Sequence, residues 1–346
     1  MAEYISFEPA DFFNVKLWTG NSTTDRAMTG VGFQPDLLWV KGLNEGTDQE
    51  LNDSVRGSTK YIRSNLANVE GTETESVKSF DTDGYTLGDA NYWNWTAKTF
   101  VGWSWKGGTT SGITTNGSTT ITPSSYSFNQ TSGFSILAYT GNITSGAKLA
   151  HGLGATPSMI ICKGLDYADS WAVGHQYTDA TDPWDYAINL DAANARSNSD
   201  AFWNDTAPDS VNITLGNGDD TNRAADMVAY CFAEKQGYSK ISIYEGNGDA
   251  DGTFTFTGFR PAWIMIRRAD SGDNWNMYDS KREGYNVDND YVKANSANVE
   301  ASDVDIDILS NGFKCRTADA AVNASGGDYT YIAIAENPLV STGGAA

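Results

Sequence analysis

Few residues of this sequence have the types and spacing that catalysis requires. The chain has only two histidines, His151 and His175, so a Ser-His-Asp triad has to use one of them. No G-x-S-x-G segment precedes a helix-like pattern, and the histidine count excludes zinc sites built on pairs of histidines. Carboxylate pairs can hydrolyse glycosidic bonds, but among 44 acidic residues some pair always has a suitable spacing. The sequence therefore predicts a protein that is not an enzyme.

One segment has the spacing of calcium ligands. Residues 247–252 read Asn-Gly-Asp-Ala-Asp-Gly, which matches the first half of an EF-hand loop. Position twelve of that loop is Gly258, where an EF-hand needs a bidentate Glu, so an EF-hand is excluded. Two interpretations stay open: a surface Ca²⁺ loop with Asn247, Asp249 and Asp251 as ligands, or a turn with solvated carboxylates. No other cofactor is indicated.

Four of the eleven tryptophans lie in polar segments of the sequence. They are Trp93, Trp95, Trp184 and Trp203. Exposed aromatic side chains beside Asn and Asp are typical of surfaces that bind sugars or partner proteins. We therefore take these four residues as candidate contact residues, with packing against a neighbouring bead as the alternative.

The elements that must position these residues come from a threefold internal repeat. The segments 18–41, 139–163 and 244–268 each contain an aromatic residue, one further residue, and Gly-Asn. Each then has a Gly-x-x-Pro followed by a short apolar run. The distance from the first Gly to the Pro is 15, 16 and 15 residues in the three copies. A fixed internal period decides the architecture before any other feature.

Within each copy the apolar residues recur with the period of a β-strand. Val101, Trp103 and Trp105 alternate with small residues, and no segment shows three turns of helical periodicity. We therefore predict an all-β protein of three tandem β-sandwich repeats, jelly-roll or lectin-like, each of about 100 residues. The terminal strands align, which predicts six equivalent buried residues: Trp103, Trp105, Tyr230, Phe232, Ile332 and Ile334.

The repeat sets the domain boundaries. We place repeat 1 at residues 1–108, repeat 2 at 133–235, and repeat 3 with a short tail at 236–346. Residues 109–132 are rich in Ser, Thr and Gly and are predicted to form a linker. We expect three beads. Units 2 and 3 share a very short junction and should pack tightly, whereas the first bead is mobile or separately anchored on its linker.

A second recurrence links repeats 1 and 3. Asp53-Ser-Val-Arg56 recurs as Asp279-Ser-Lys-Arg282. Because the spacing recurs in the repeated framework, it predicts a structural carboxylate–guanidinium pair that holds a loop.

Charge and composition exclude several classes of protein. The net charge is −21, and the only adjacent basic pair is Arg267-Arg268, so nucleic acid is not expected as a partner. No stretch approaches the ~20 apolar residues that span a bilayer, and the N-terminus has no signal-peptide pattern. Three cysteines in apolar contexts, Cys162, Cys231 and Cys315, predict buried thiols and folding in a reducing cytoplasm.

Several stretches together resemble one family of repeat proteins. They are YISFEPADFFNVKLWTGN, the Gly-x-x-Pro strands, SFDTDGYTLG, YCFAEKQGYSK and NGFKCRTADAAVNASGGDYTYIAIAENP. The family occurs in genomes of marine tailed bacteriophages, under labels such as hypothetical, structural or tail-fibre-like protein. The resemblance covers nearly the whole chain, and repeat 2 departs from it most.

The resemblance implies a non-enzymatic virion surface protein, made in the host cytoplasm. It would be a tail-associated fibre or receptor-binding protein, or a decoration protein of the head. Its implied partners are other virion proteins, further copies of itself in a homo-oligomer (a trimer, from the habits of phage surface proteins) and a host surface glycan. The alternative from another class is a lectin-like carbohydrate-binding module or a glycan-degrading enzyme on the same scaffold.

Overall fold

The computed structural model describes residues 6–282, 286, 290–304 and 306–338, and its regular structure is almost entirely antiparallel β. This confirms the predicted all-β class. The helices have four residues each: α1 (Asn91–Asn94), α2 (Asp200–Trp203), α3 (Asp219–Asn222) and α4 (Ala320–Asn323). Two 3-10 turns lie at Pro9–Asp11 and Pro183–Asp185. In the described ranges no helix has the length and apolar character that crossing a membrane requires.

The strands fall into three groups along the chain. Unit 1 contains β1 (Phe13–Thr19), β2 (Arg26–Thr29), β3 (Leu37–Gly42), β4 (Glu50–Asp53), β5 (Lys60–Arg63), β6 (Gly71–Thr72), β7 (Val77–Asp81), β8 (Gly84–Leu87) and β9 (Thr99–Trp105). Unit 2 contains β10 (Ser125–Asn129), β11 (Phe134–Thr140), β12 (Ala147–Ala150), β13 (Met159–Gly164), β14 (Ala172–His175), β15 (Tyr186–Asn189), β16 (Ser197–Asn198), β17 (Asn212–Leu215) and β18 (Asp226–Phe232). Unit 3 contains β19 (Ser239–Glu245), β20 (Phe254–Phe256), β21 (Phe259–Arg268), β22 (Asn276–Asp279), β23 (Val292–Lys293), β24 (Ile306–Leu309), β25 (Gly312–Cys315) and β26 (Asp328–Pro338).

Each unit has one main sheet, and the strand order recurs. The order is β1-β9-β3-β4-β5-β6 in unit 1 and β11-β18-β13-β14-β15-β16 in unit 2, where β10 adds outside β11. In unit 3 it is β19-β26-β21-β22-β23. Leu37, Met159 and Trp263 hold the same place in the three sheets, because each pairs with the strand that closes its unit. Each lies two residues after the proline of a Gly-x-x-Pro.

The Gly-Asn of each segment has a physical reason. A Cβ on Gly20, Gly141 or Gly246 would lie 2.0, 2.0 and 2.2 Å from a backbone carbonyl oxygen. The following Asn donates its backbone N–H to the side chain of another Asn, which ends a short helix. These three hydrogen bonds run from Asn21 to Asn94, Asn142 to Asn222 and Asn247 to Asn323. Glycine is required because the helix end approaches the backbone too closely for a side chain.

The three main sheets face one shared hydrophobic core. Trp105 of unit 1 packs against Phe13 at 4.9 Å between ring centroids, Phe134 and Phe232 of unit 2 at 6.4 Å, and Trp263 of unit 3 at 5.3 Å. Residues of all three units form this core. The expectation of a mobile or separately anchored first unit is therefore wrong, because unit 1 shares this core with units 2 and 3. The sequence predicts that each unit buries its apolar strand faces within its own sandwich. In the structure, one apolar face of each main sheet is buried against the other two units instead.

The opposite face of each main sheet packs on a smaller sheet. The smaller sheets are β2-β8-β7, β12-β17 and β20-β25-β24, and each encloses a local apolar core with its main sheet. Strand β9 shows the alternation, since Val101, Trp103 and Trp105 face the shared core while Phe100 faces the local core. Each main sheet therefore lies between two layers, as in a sandwich.

The segment expected to be a linker is structured. Strand β10 lies inside residues 109–132 and pairs with β11 over five residue pairs. Thr109 bridges to Phe128, and Ile121 bridges to Leu149 of unit 2. The Ser and Thr residues of this segment form hydrogen bonds along an edge, which composition alone does not indicate.

The burial predicted from strand alternation is confirmed. The six residues predicted to be buried at the ends of the closing strands are each at most 8% exposed. The three cysteines are buried and free, as expected for structural thiols.

Candidate functional site

The four tryptophans taken as contact residues do not share a surface. Trp93, Trp184 and Trp203 are 2%, 8% and 0% exposed, and each lies in the local core of its own unit. These three residues therefore neither form a contact surface nor pack against a neighbouring bead. The Trp93 indole N–H donates to Asn52 Oδ1 at 2.8 Å, and the rings of Trp184 and Trp203 pack edge to face at 6.0 Å. Only Trp95 of this set is exposed, at 36%.

Side-chain oxygens of the three predicted calcium ligands contact other groups of the chain. Asn247 Oδ1 accepts from the Asp249 N–H and from Asn323 Nδ2, both at 3.0 Å. Asp249 Oδ1 accepts from the Asp251 N–H at 2.9 Å, and Asp251 forms an ion pair with Lys314. Within the described ranges no cluster of three or more His, Cys, Asp or Glu is arranged around a metal position. These contacts fit the turn interpretation of the loop.

Unit 2 contains a carboxylate pair in direct contact. Asp220 is hydrogen-bonded to Asp169, and burial together with this contact raises the pKa of Asp220 to about 7. Carboxyl groups in direct contact share a proton, whereas a glycosidase separates its two carboxyl groups by about 5 Å or more to place the sugar between them. The pair does not have the geometry of a glycosidase site.

Polar contacts join the three units to one another. Three equivalent backbone hydrogen bonds join them in a cycle: Glu70 N–H to Leu165 O at 2.8 Å, Glu300 N–H to Leu43 O at 2.8 Å, and Arg196 N–H to Ala269 O at 3.1 Å. We call these contacts junction A (unit 1 on unit 2), junction B (unit 3 on unit 1) and junction C (unit 2 on unit 3). The cycle closes the three units into a ring.

A cation reinforces each junction from the same strand position. Lys163 donates to Ala67 O at 3.2 Å in junction A, and Lys41 donates to Ala297 O at 3.1 Å in junction B. Arg267 donates to the Asn194 carbonyl in junction C. Burial lowers the pKa of Lys41 to about 8 and that of Arg267 to about 10. Burial outweighs the nearby carboxylates, which are Asp48 and Glu50 for Lys41 and Asp273 for Arg267.

Junction A is built around a buried guanidinium. Arg56 is paired with Asp53 at 2.5 Å and with Glu70 at 3.1 Å, and its side chain is 1% exposed. The Tyr230 hydroxyl of unit 2 donates to Asp53 Oδ2 at 2.7 Å. Burial alone would lower the pKa of Arg56, but the neighbouring Asp53, Tyr230 and Glu70 outweigh it and raise the pKa. The guanidinium therefore stays charged and connects two units.

Junction B repeats this arrangement with a different donor. Arg282 is paired with Asp279 at 2.7 Å and with Glu300 at 3.1 Å, and the Trp103 indole N–H of unit 1 donates to Asp279 at 3.2 Å. The predicted carboxylate–guanidinium pairs are thus confirmed in both units. The sequence did not indicate that each pair also accepts a hydrogen bond from the next unit.

Junction C replaces the acidic residue with a histidine. His175 holds the position of Asp53, because both pair with the first residue of the neighbouring core strand. Its Nδ1 accepts from the Tyr177 N–H at 3.1 Å, so the proton lies on Nε2, which donates to Tyr331 O at 3.2 Å. Burial lowers the pKa of His175 to about 4. A neutral histidine thus stands in junction C where the other two junctions have a carboxylate.

Two grooves open beside these junctions. Groove A, at junction A, has a volume of about 220 Å³ and is lined by residues that include Arg56, Glu70, Ser124, Ser125 and Ala138. Groove B, at junction B, has a volume of about 520 Å³ and is lined by residues that include Leu17, Trp18, Phe100, Arg282 and Glu300. In groove A the Glu70 carboxylate is paired with Arg56, and in groove B the Glu300 carboxylate is paired with Arg282.

Sequence reasoning identified only some of the residues that form the junctions. Lys41, Lys163 and Arg267 end the three apolar runs that follow Gly-x-x-Pro, so a cation at a fixed repeat position was a usable signal. Tyr230 had no such signal, because its equivalents are Trp103 and Ile332 and its alternation indicates only burial.

Comparison with known proteins gives a family and no activity. No curated protein and no solved structure matches the chain significantly. One family model, described as a domain of unknown function (DUF7483), matches residues 8–338 and so includes all three units and the segment between units 1 and 2. The chain therefore belongs to the DUF7483 family.

Proposed function

We propose that the chain is a non-enzymatic surface protein of a tailed-bacteriophage virion, tail-associated as a fibre or receptor-binding part, or a decoration of the head. The observation that carries the proposal is the closed ring of three units around one core. A virion part has to stay folded outside the cell without chaperones. Burying the polar contacts between units makes partial unfolding costly, which favours such endurance.

The use of the charged residues supports the same proposal. The guanidinium groups of Arg56 and Arg282 are consumed in structural pairs, and the two histidines bond to backbone groups. With a net charge of −21, neighbouring copies repel unless salt screens them, and seawater provides such screening.

We propose other virion proteins, a host surface glycan and further copies of this chain as partners. Virion parts occur in many copies, and identical subunits associate through closed symmetry. We propose that this chain forms a trimer. Light scattering of the purified chain at seawater-like salt tests this part. A trimer mass is expected, and a monomer at tens of micromolar would show that the virion scaffold sets the assembly.

Labelling of virions tests the assignment itself. Purified phage particles treated with gold-conjugated antibody against this chain should carry the label at one position on the head or tail. If the chain is abundant in infected cells and absent from purified particles, the assignment is wrong.

An assay of glycan hydrolysis distinguishes the proposed function from the alternative of a glycan-degrading enzyme. Release of reducing sugar from host envelope glycans, lost in the variants Asp169→Asn or Asp220→Asn, would identify a glycan-degrading enzyme instead. We expect no release above a heat-denatured control.

A further inference from the structure

Strand β1 has an outer edge whose backbone groups point away from its sheet. Across the β1–β9 pair, the Gly20 N–H donates to Lys98 O at 2.7 Å and the Lys106 N–H donates to Phe12 O at 3.0 Å. Backbone groups alternate in direction along an antiparallel strand, so even-numbered residues face β9 and odd-numbered residues face away. Val15 and Leu17 therefore direct two N–H and two C=O groups to the outer edge.

No residue in the described ranges bonds to these four groups. At the end of the strand, Arg26 Nη1 donates to Thr19 O at 2.8 Å, which covers the next outward carbonyl. The Leu17 side chain is 42% exposed beside the same edge. An uncovered edge of this kind is a template for pairing with another strand.

The chain covers this edge in unit 2 and part of it in unit 3. In unit 2, strand β10 pairs with β11. In unit 3, Ile241 has the position of Val15, because each pairs with the equivalent residue of the closing strand. Glu234 accepts from the Ile241 N–H at 3.1 Å and Gln176 donates to Ile241 O at 2.6 Å. Strand β10 thus covers the edge of unit 2, and two side chains satisfy Ile241 in unit 3, whereas the outward groups of Val15 and Leu17 in unit 1 stay open.

Groove A and groove B differ in size, as expected if groove A is partly filled by a strand that groove B lacks. Strand β10 begins in groove A, where Ser124 and Ser125 line the wall and the Ser124 N–H donates to Ala138 O at 2.8 Å. Leu17 holds the position of Ala138 and lines groove B. Groove B has about 520 Å³ against about 220 Å³ for groove A. The larger groove has room for the first residues of a strand that unit 1 does not supply.

We propose that the outer edge of β1 binds an extended strand from another protein chain, antiparallel to β1 and with its first residues in groove B. The bound strand completes the unit 1 main sheet as β10 completes that of unit 2. This proposal does not depend on the virion assignment.

Strand β10, which covers the equivalent edge of unit 2, indicates which side chains the bound strand should carry. Ser127 lies opposite Ile136, the equivalent of Val15, and is fully buried, so a small hydroxyl side chain fits that position. Opposite Lys16, an uncharged or acidic residue is favoured. The partner strand is therefore short, rich in Ser or Thr, and without basic residues at its centre.

A second copy of β1 does not fit this edge. A twofold pairing that used both Val15 and Leu17 would place Lys16 opposite Lys16, and each copy carries a net charge of −21. Like charges directly opposite one another destabilise a strand pair. An edge lysine is a common protection against such self-pairing.

Peptide binding to the full chain tests the proposal. The probe is the synthetic peptide SSYSFN, residues 124–129 of this sequence, titrated to millimolar concentration while amide hydrogen exchange is followed by NMR. We expect saturable binding and slower exchange at Val15 and Leu17, with no change at Ile241, whose N–H is already bonded.

Two methylated peptides provide matched controls. The backbone of Phe128 bonds to Thr109, on the side away from β11, so N-methylation at Phe128 should leave binding intact. N-methylation at Ser127, on the side facing β11, removes a donor to the edge and should weaken binding about tenfold or more.

Other outcomes overturn the proposal. Absence of saturable binding, or equal binding of both methylated peptides, would mean that the edge does not accept a strand. Exchange at Val15 and Leu17 that slows with protein concentration would identify a second copy as the occupant. Slow exchange in the free chain that is lost on deleting residues 1–5 would identify the N-terminal segment.

Discussion

The Tyr230 hydroxyl donates to the Asp53 carboxylate across 2.7 Å, although the two residues are 177 positions apart in the sequence. Asp53 also holds Arg56, so a single carboxylate joins the loop of unit 1 to the closing strand of unit 2. The ring of three units depends on contacts of this kind, and each can be tested by substitution.

Removing the Tyr230 hydroxyl should destabilise the chain. Tyr230→Phe leaves a fully buried carboxylate with one hydrogen bond fewer, which costs about 1–3 kcal/mol of unfolding free energy. Tyr85→Phe is the matched control, because the buried Tyr85 hydroxyl has no hydrogen-bond partner among the described residues. Urea unfolding should show a loss for the first variant and no loss for the second.

Replacing a buried cation with Met should strongly lower the stability of the chain at Arg56 but not at Arg267. Arg56→Met leaves Asp53 and Glu70 without their partner and should cost about 3–5 kcal/mol. Arg267 has neither an ion pair nor a partner for Nε and Nη1 among the described residues, so Arg267→Met should change stability by less than about 1 kcal/mol or increase it. Equal losses in both variants would contradict this view of the junctions.

Acid should weaken junction C through His175. Its pKa is about 4 in the folded chain and 6.5 in the reference state, so below pH 6.5 the unfolded chain binds a proton that the folded chain does not. Stability is full above pH 6.5 and falls as pH approaches 4. Between pH 7 and 4.5 the wild type should lose about 2–3 kcal/mol more than His175→Gln, whose acidic residues are unchanged. Parallel losses in the two chains would place the acid sensitivity elsewhere.

Truncation at the shared core should destabilise all three units together. Trp105 contacts aromatic rings from every unit, so Trp105→Ala should cost about 3–5 kcal/mol and leave a single unfolding transition in calorimetry. Trp95→Ala, at an exposed position, should change stability by about 0.5 kcal/mol or less. A separate early transition of unit 1 would support independent beads.

Several features follow from the sequence by itself. Alternation in the closing strands identified the buried residues, because the side-chain period of a strand is two wherever the strand lies. The repeated Asp-x-x-Arg spacing identified the pairs at Asp53 and Asp279, because a short loop brings residues three apart into contact. The all-β class and the buried cysteines have the same local origin.

The tertiary structure decided what each apolar face covers. Period two shows that Trp105 is buried, but it does not show that residues of the other two units bury it. Trp93, Trp184 and Trp203 sit among polar neighbours in sequence and became core residues because distant strands pack over them. The Ser- and Thr-rich segment became strand β10 because β11 offered unpaired backbone groups. Contacts between residues far apart in sequence leave no local pattern, so the ring, its junctions and its open edge appear only in the folded chain.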